Sequence, residues 1–243
     1  MYAASPEGAE QKDTSHRLRQ AMRKYSSSSV QPEGLALTLP AEWGEICVRG
    51  PSVFQAYHLH RDQYHRVLDD DGWLHTGDVG KWTAEGTLHY LGRVHSLFHT
   101  AQGHCIAPEY LEAVYCRNPF VAQCFVFGQP GFAHLVAIVV PDPEHVLDWG
   151  HALGSAKPLT PADQHADFLK LCGASELKRA ILEQMQAIAV SANLRDYERL
   201  TQVVVETDPF SVENGLMTPN FTLIRAGLVA KYSKSLLAAL TSS

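Results

Sequence analysis

Residues 71–95 read DGWLHTGDVGKWTAEGTLHYLGRVH. Two stretches inside it, GWLHTGD and GTLHYLGR (86–93), set apolar residues between polar ones and flank a turn around Ala84-Glu85-Gly86. That pattern predicts two antiparallel strands. Asp78 lies in the Thr-Gly-Asp at the end of the first strand and has three local readings. It can cap a turn by accepting backbone N–H groups, the common use of Asp in such places. It can pair with a cation. It can accept two hydrogen bonds from a diol, because an ionised carboxylate is acceptor-only and has two oxygens. Local sequence alone favours the turn.

Upstream, GEICVRG (44–50) alternates Ile46 and Val48 with polar neighbours and stops at Gly-Pro, as a strand does, and SVFQAYHL (52–59) reads as its extension. Together these make a small antiparallel β unit. The first 33 residues read as poorly ordered, with SSSS at 26–29 and Pro-Glu-Gly at 32–34 as linker-like breaks. Within them HRLRQAMRKY (16–25) carries four Arg or Lys residues. So short a stretch favours a solvated tail over a basic helix bound to a membrane or partner.

Downstream the grammar is mixed. SLFHTAQGHCIAP (96–108) predicts a hairpin turning at Gly103, and Pro108 opens a helix over PEYLEAVYCRN from the favoured first position. VAQCFVFG (121–128), HLVAIVVPD (134–142) and TQVVVETD (201–208) are apolar strands. ELKRAILEQMQAIAVSAN (176–193) is a helix with Leu177, Ile181, Leu182, Met185 and Ile188 on one face, and RAGLVAKYSKSLLAAL (225–240) is a final helix. The class is α+β, divided as a tail or linker (1–41), a β subdomain (42–95) and an α+β domain (96–243). Glu109 and Glu112 are expected on a solvated helix face, and Trp73 is expected to pack rather than to contact a ligand.

With 243 residues the chain can bury a sizeable core. A net charge of -6 argues against a nucleic-acid partner, which needs clustered Lys and Arg. No apolar run reaches the roughly 18 residues of a transmembrane segment. The five cysteines lack CxxC spacing, which fits a reducing cytoplasmic setting. HLHRDQYH (His58, His60, His65) has neither HExxH nor Cys/His-paired spacing, so no metal site is expected.

The stretch 71–95 resembles the signature of the long-chain fatty-acyl-CoA synthetases, in the adenylate-forming, AMP-binding superfamily. GEICVRGPSVFQAY before it, and AQGHCIAPEYLEAVY (101–115), VAQCFVFG, HLVAIVVPD and FSVENGLMTPN (210–220) after it, follow that family's order. AQGHCIAPE and ENGLMTP favour the long-chain branch. The resemblance implies that 42–95 is the end of a large N-terminal domain and that 96–243 is the mobile C-terminal α+β domain. It implies two-step chemistry: a fatty acid and ATP, with Mg2+ spreading the phosphate charge, give acyl-AMP and pyrophosphate, and coenzyme A then takes the acyl group. By resemblance, Asp78 and Arg93 hold the nucleotide ribose, His95 is the hinge where the family usually has Lys or Asp, and Gly103 lies in the loop used for the CoA step. A plain hairpin turn at Gly103 is equally consistent.

The chain departs from the family in two respects. Thr222 stands where the family carries the adenylation lysine, three residues before Arg225, and Ile224 and His99 also replace usual basic residues. Lys231 lies six residues past Arg225, poorly placed to substitute. A neutral hydroxyl cannot supply the missing cation, and loss of one such group costs roughly 10²–10³ in rate. The Gly-rich phosphate loop and the acyl tunnel of the large domain have no counterpart here, so no efficient acyl-CoA synthesis is expected of this chain alone. Two readings follow: a partial ligase completed by an N-terminal domain, or a non-catalytic binding or regulatory module. An unrelated α+β domain fits poorly with matches this long and ordered. A protein partner covering 42–95 is expected, because an uncovered β unit exposes apolar surface. The resemblance also implies work at the endoplasmic reticulum or another lipid surface.

Overall fold

The computed structural model describes residues 39–54, 67–154 and 160–241, in two compact units that divide between Phe98 and His99. The basic stretch 16–25, the histidines of HLHRDQYH and most of 52–59 lie outside the described residues. No described helix is long and apolar enough to cross a membrane.

In the first unit, β1 (Trp43–Val48), β2 (Leu74–Trp82) and β3 (Leu88–Arg93) form an antiparallel sheet in that order. The β2–β3 turn is closed by Thr83 N–H to Thr87 O (2.8 Å), with Gly86 at φ +83° where a side chain would be strained. Trp43, Cys47, Val79 and Leu91, with Leu39, Val94 and Leu97, are buried in this small unit. The expected extension of β1 is corrected at its described end. The strand stops at Val48, and Val53 N–H turns back to Gly50 O at 3.1 Å, because Gly50-Pro51 breaks the ladder.

The second unit begins at His99, the last residue of the two-residue strand β4 (Phe98–His99), which pairs with β5 (Cys105–Ile106); α1 (Pro108–Tyr115) follows with Pro108 in its first turn. Its main sheet has the order β6 (Val121–Phe127), β7 (Leu135–Pro141), β8 (Leu200–Val205); β6–β7 is antiparallel and β7–β8 parallel. A parallel pair needs a crossover. It is supplied by α2 (Pro143–Ala152), α3 (Pro161–Cys172) and α4 (Ser175–Ser191).

All of β7 is buried, as a central strand covered on both faces requires. Val136, Ile138 and Val140 join Phe125, Phe210, Leu228 and Leu236 in one core beneath α5 (Arg225–Thr241). The alternating residues Leu135, Ala137 and Val139 are buried on the other face. There α1 packs on β6 and α4 on β8 through Leu177, Ile181 and Met185. Tyr115 ties these layers: its hydroxyl donates to Glu198 O and accepts from Leu200 N–H, both at 3.2 Å.

Two helices are additional to the sequence reading. Asp142 caps α2 through His145 N–H, and Thr160 with Asp163 forms a full capping box on α3. The helices meet closely, for a Cβ at Gly150 would stand 2.6 Å from Leu171 Cδ1.

Glu112 is the clear correction. It is only 8% exposed, because α1 turns its side chain inward to β6 and α5 rather than to solvent. Glu109 is half-buried.

Candidate functional site

The antiparallel register sets Asp78 directly across from Arg93. Arg93 Nε reaches Asp78 Oδ1 at 3.0 Å, and Arg93 Nη1 donates to Thr76 O at 3.0 Å. Of the three local readings of Asp78, pairing with a cation is the one its side chain makes. Both groups remain reachable, with 29% and 50% of their side chains exposed.

Other residues build the turn itself. Thr76 Oγ1 donates to Ile46 O at 2.7 Å and accepts from Asp78 N–H at 3.1 Å. Glu45 Oε1 accepts from Gly77 N–H at 3.0 Å, and Glu45 Oε2 lies 2.8 Å from His75 Nδ1. Gly77 takes φ +72°, where a Cβ would come 3.6 Å from Arg93 Nη1. So Thr76, Gly77 and Glu45 shape the bend, and the Asp78 carboxylate is presented on it. Trp73 is half-buried beneath the Arg49 guanidinium, 4.7 Å from its ring centre.

His95 is the exposed middle residue of a one-turn 3-10 helix, Val94–Ser96, whose other two residues are buried. The division between the units falls just after it. Gly103 holds φ +81° in an exposed turn closed by Gly103 N–H to Thr100 O at 2.9 Å. A Cβ there would meet nothing within 4 Å, so the backbone angle alone calls for glycine.

Thr222 sits at the tip of a narrow hairpin bridged at Met217 and Leu223. Thr218 N–H donates to Thr222 O at 2.9 Å, and Thr222 N–H donates to Thr218 Oγ1 at 3.2 Å. Phe221 beside it takes φ +58° and is 76% exposed. The base of the hairpin is fixed by Arg225. Its Nη1 meets Glu112 Oε1 at 2.7 Å, its Nη2 meets Val126 O at 2.6 Å, and its guanidinium carbon lies 4.6 Å above the centre of the Phe125 ring. The same Glu112 oxygen accepts from Val126 N–H at 2.8 Å. Burial pushes the Glu112 carboxyl up to about 7, against the downward pull of Arg225. No local pattern signals this lock, whose members come from α1, β6 and the start of α5.

No protein-family profile matches the chain. The long-chain-fatty-acid–CoA ligase 6 of Rattus norvegicus is 41% identical over 193 residues, covering 79% of this chain and 26% of that protein. The chain belongs to the long-chain fatty-acyl-CoA synthetase family. The peroxisomal long-chain acyl-CoA synthetase 7 of Arabidopsis thaliana is a further relative, 38% identical over 197 residues, with 81% of this chain and 27% of that protein covered. The chain thus spans about a quarter of the length of the curated relatives it matches.

Solved adenylate-forming enzymes share the fold. The adenylation domain of a carboxylic acid reductase from Segniliparus rugosus, solved with AMP and a carboxylic acid, has a TM-score of 0.66 at 27% identity, covering 90% of this chain and 30% of that one. The corresponding domain from Mycobacterium chelonae has a TM-score of 0.65 at 30% identity, covering 90% and 29%. The α+β second unit is the C-terminal domain of that architecture.

Proposed function

We propose that this chain is the ribose-holding strand pair and the C-terminal domain of a long-chain fatty acid–CoA ligase, and that it turns over fatty acid, ATP and CoA only when an N-terminal domain completes it. The observation behind this reading is the Asp78–Arg93 pair, which presents an acceptor carboxylate beside a guanidinium on one exposed strand pair. A vicinal diol suits such a carboxylate. His95 would serve as the hinge and Gly103 as the CoA-step loop. Mg2+ would travel with the ATP phosphates; the Asp78 carboxylate already faces a cation, so no residue here is assigned to that ion. A partner domain would cover the sheet face carrying Val48, Leu88 and Tyr90, each about two-fifths exposed or more. The setting proposed is the cytoplasm beside a lipid surface.

Thr222 supports a second reading, a non-catalytic nucleotide- or CoA-binding module. The tip where the family places lysine offers only a short neutral hydroxyl. A chimera joining this chain to the N-terminal part of the rat relative separates the two. We expect fatty-acid-dependent pyrophosphate exchange by the chimera and none by the chain alone. Thr222→Lys in the chimera should raise the rate by roughly 10²–10³. A chimera that stays silent even with Lys at 222, while the chain binds AMP or CoA by calorimetry, would establish the module. Equal rates with Thr and Lys would mean that position 222 does not limit adenylation.

A further inference from the structure

Three potential metal ligands from two adjacent strands converge on one point of the first unit. Glu45, Cys47 and His75 place a carboxylate oxygen, a thiol sulfur and a ring nitrogen within 4.8 Å of one another. The register sets Cys47 opposite His75, and a bulge between Glu45 and Cys47 adjusts the strand beside it. Glu45 Oε2 lies 2.8 Å and Cys47 Sγ 3.7 Å from the same atom, His75 Nδ1. One ring nitrogen holds one proton or one lone pair, so it cannot serve both neighbours fully. A cation placed on that lone pair would serve all three.

We propose that Glu45, Cys47 and His75 form a binding site for a zinc-class transition-metal ion, with Asp69 orienting the histidine from behind.

The ligand set selects the ion. Thiolate, imidazole and carboxylate together suit Zn2+, whereas Mg2+ and Ca2+ take oxygen alone. Tetrahedral zinc, at about 2.3 Å from sulfur and about 2.0–2.1 Å from nitrogen and oxygen, has S···N and N···O edges of about 3.6 and 3.4 Å. The sulfur–nitrogen edge is already in place, Glu45 Oε2 needs to withdraw from Nδ1 by about 0.6 Å, and the sulfur–oxygen edge, within 4.8 Å here, has to settle at about 3.6 Å. Two anions and a neutral imidazole neutralise the divalent ion, which makes so buried a site tolerable: Cys47 is 1% and Glu45 6% exposed. The His75 side chain, 18% exposed, leaves an entry path.

Asp69 supplies the outer support usual for ligating histidines. Its Oδ1 is fixed by Trp73 N–H at 2.8 Å and Asp71 N–H at 3.0 Å, while Oδ2 stands 3.7 Å from His75 Nε2. On binding, the Nδ1 proton of His75 moves to Nε2, facing Asp69, and Cys47 releases its thiol proton to solvent. This site is independent of the synthetase reading.

Co2+ titration of the full chain under a non-thiol reductant tests the proposal. We expect one equivalent to give tetrahedral visible bands and a sulfur-to-cobalt charge-transfer band, both displaced by Zn2+. Cys47→Ser should abolish the charge-transfer band, Cys116→Ser should leave it, and Asp69→Asn should weaken zinc binding about 10–100-fold. No band in the folded wild-type chain, or a band surviving Cys47→Ser, overturns the site. Should Cys47→Ser fail to fold, X-ray absorption of the zinc-loaded wild type decides. One sulfur at about 2.3 Å beside lighter ligands at about 2.0–2.1 Å supports the site, and a shell of nitrogen and oxygen alone refutes it.

Discussion

Replacing Arg225 by methionine removes the cation from the Glu112 lock while keeping most of the side chain's length. In the wild type, the folded Glu112 carboxyl titrates at about 7, above its ordinary 4.5. The unfolded chain therefore loses this proton first. The group's contribution to stability is greatest on the acid side and falls as pH rises from 4.5 to about 7, where the buried carboxylate ionises. Below 7 the wild-type pair is an acid beside a guanidinium, and the variant loses mainly hydrogen bonds, about 1–2 kcal/mol. Above 7 the wild type gains the ion pair, but without Arg225 burial holds the variant's carboxyl protonated. The difference then grows by about 1.4 kcal/mol per pH unit, adding about 2 kcal/mol at pH 8.5. The total, about 3–4 kcal/mol, lies within the roughly 3–5 kcal/mol known for breaking a buried pair. Amide hydrogen exchange of β6 and β7 measures it in the second unit alone, with wild type and variant compared at the same pH so that intrinsic exchange rates cancel. A difference that is flat or shrinking between pH 5.5 and pH 8.5 would refute the reasoning.

Asp78→Ala in the assembled chimera should weaken AMP binding about 10–100-fold through loss of charge-assisted hydrogen bonds, read by calorimetry; unchanged affinity would detach Asp78 from the ribose. Gly80→Ala should destabilise the first unit by about 1–3 kcal/mol in a urea melt, since its Cβ would press on the His89 carbonyl oxygen at 2.9 Å. Gly150→Ala meets only the flexible end of Leu171, so the roughly 1 kcal/mol gained in helix propensity should leave its net effect within about 1 kcal/mol of zero in the same melt. The half-exposed face carrying Val48, Leu88 and Tyr90 should bind a hydrophobic dye or draw copies of the chain together; a dye-silent monomer would count against an uncovered interface.

Elements whose causes are local were legible in the sequence. Gly86 marked the β2–β3 turn, Pro108 marked the start of α1, and Leu177, Ile181 and Met185 at helical spacing marked α4. Helices α2 and α3 are not legible in the sequence because each buries only two residues, Val146 with Gly150 and Phe168 with Cys172, too thin a stripe for periodicity. Their caps at Asp142 and Thr160 were the signal that could have found them. The burial of Glu112 is hidden from the sequence for a different reason. It adjoins the buried Leu111 on α1, and its partner Arg225 lies 113 residues along the chain, beyond any local pattern. The convergence of Cys47 on His75, 28 residues away, exists only once β1 and β2 pair in register. For Asp78 and Arg93, strand pattern predicted the elements, but a ribose-holding role came only with the family resemblance.

The parallel pairing of β7 with β8 bears on the order in which the second unit is made. β6 and β7 are neighbours in sequence and can close as a hairpin as soon as both exist. β8 reaches its place beside β7 only after three helices have been synthesised, and the main core also needs Leu228, Leu236 and Leu240 of α5. Closing so long a loop before its contacts form is slow. Until α5 emerges from the ribosome, the nascent chain presents a β-hairpin with Val136, Ile138 and Val140 uncovered, a natural substrate for a holding chaperone.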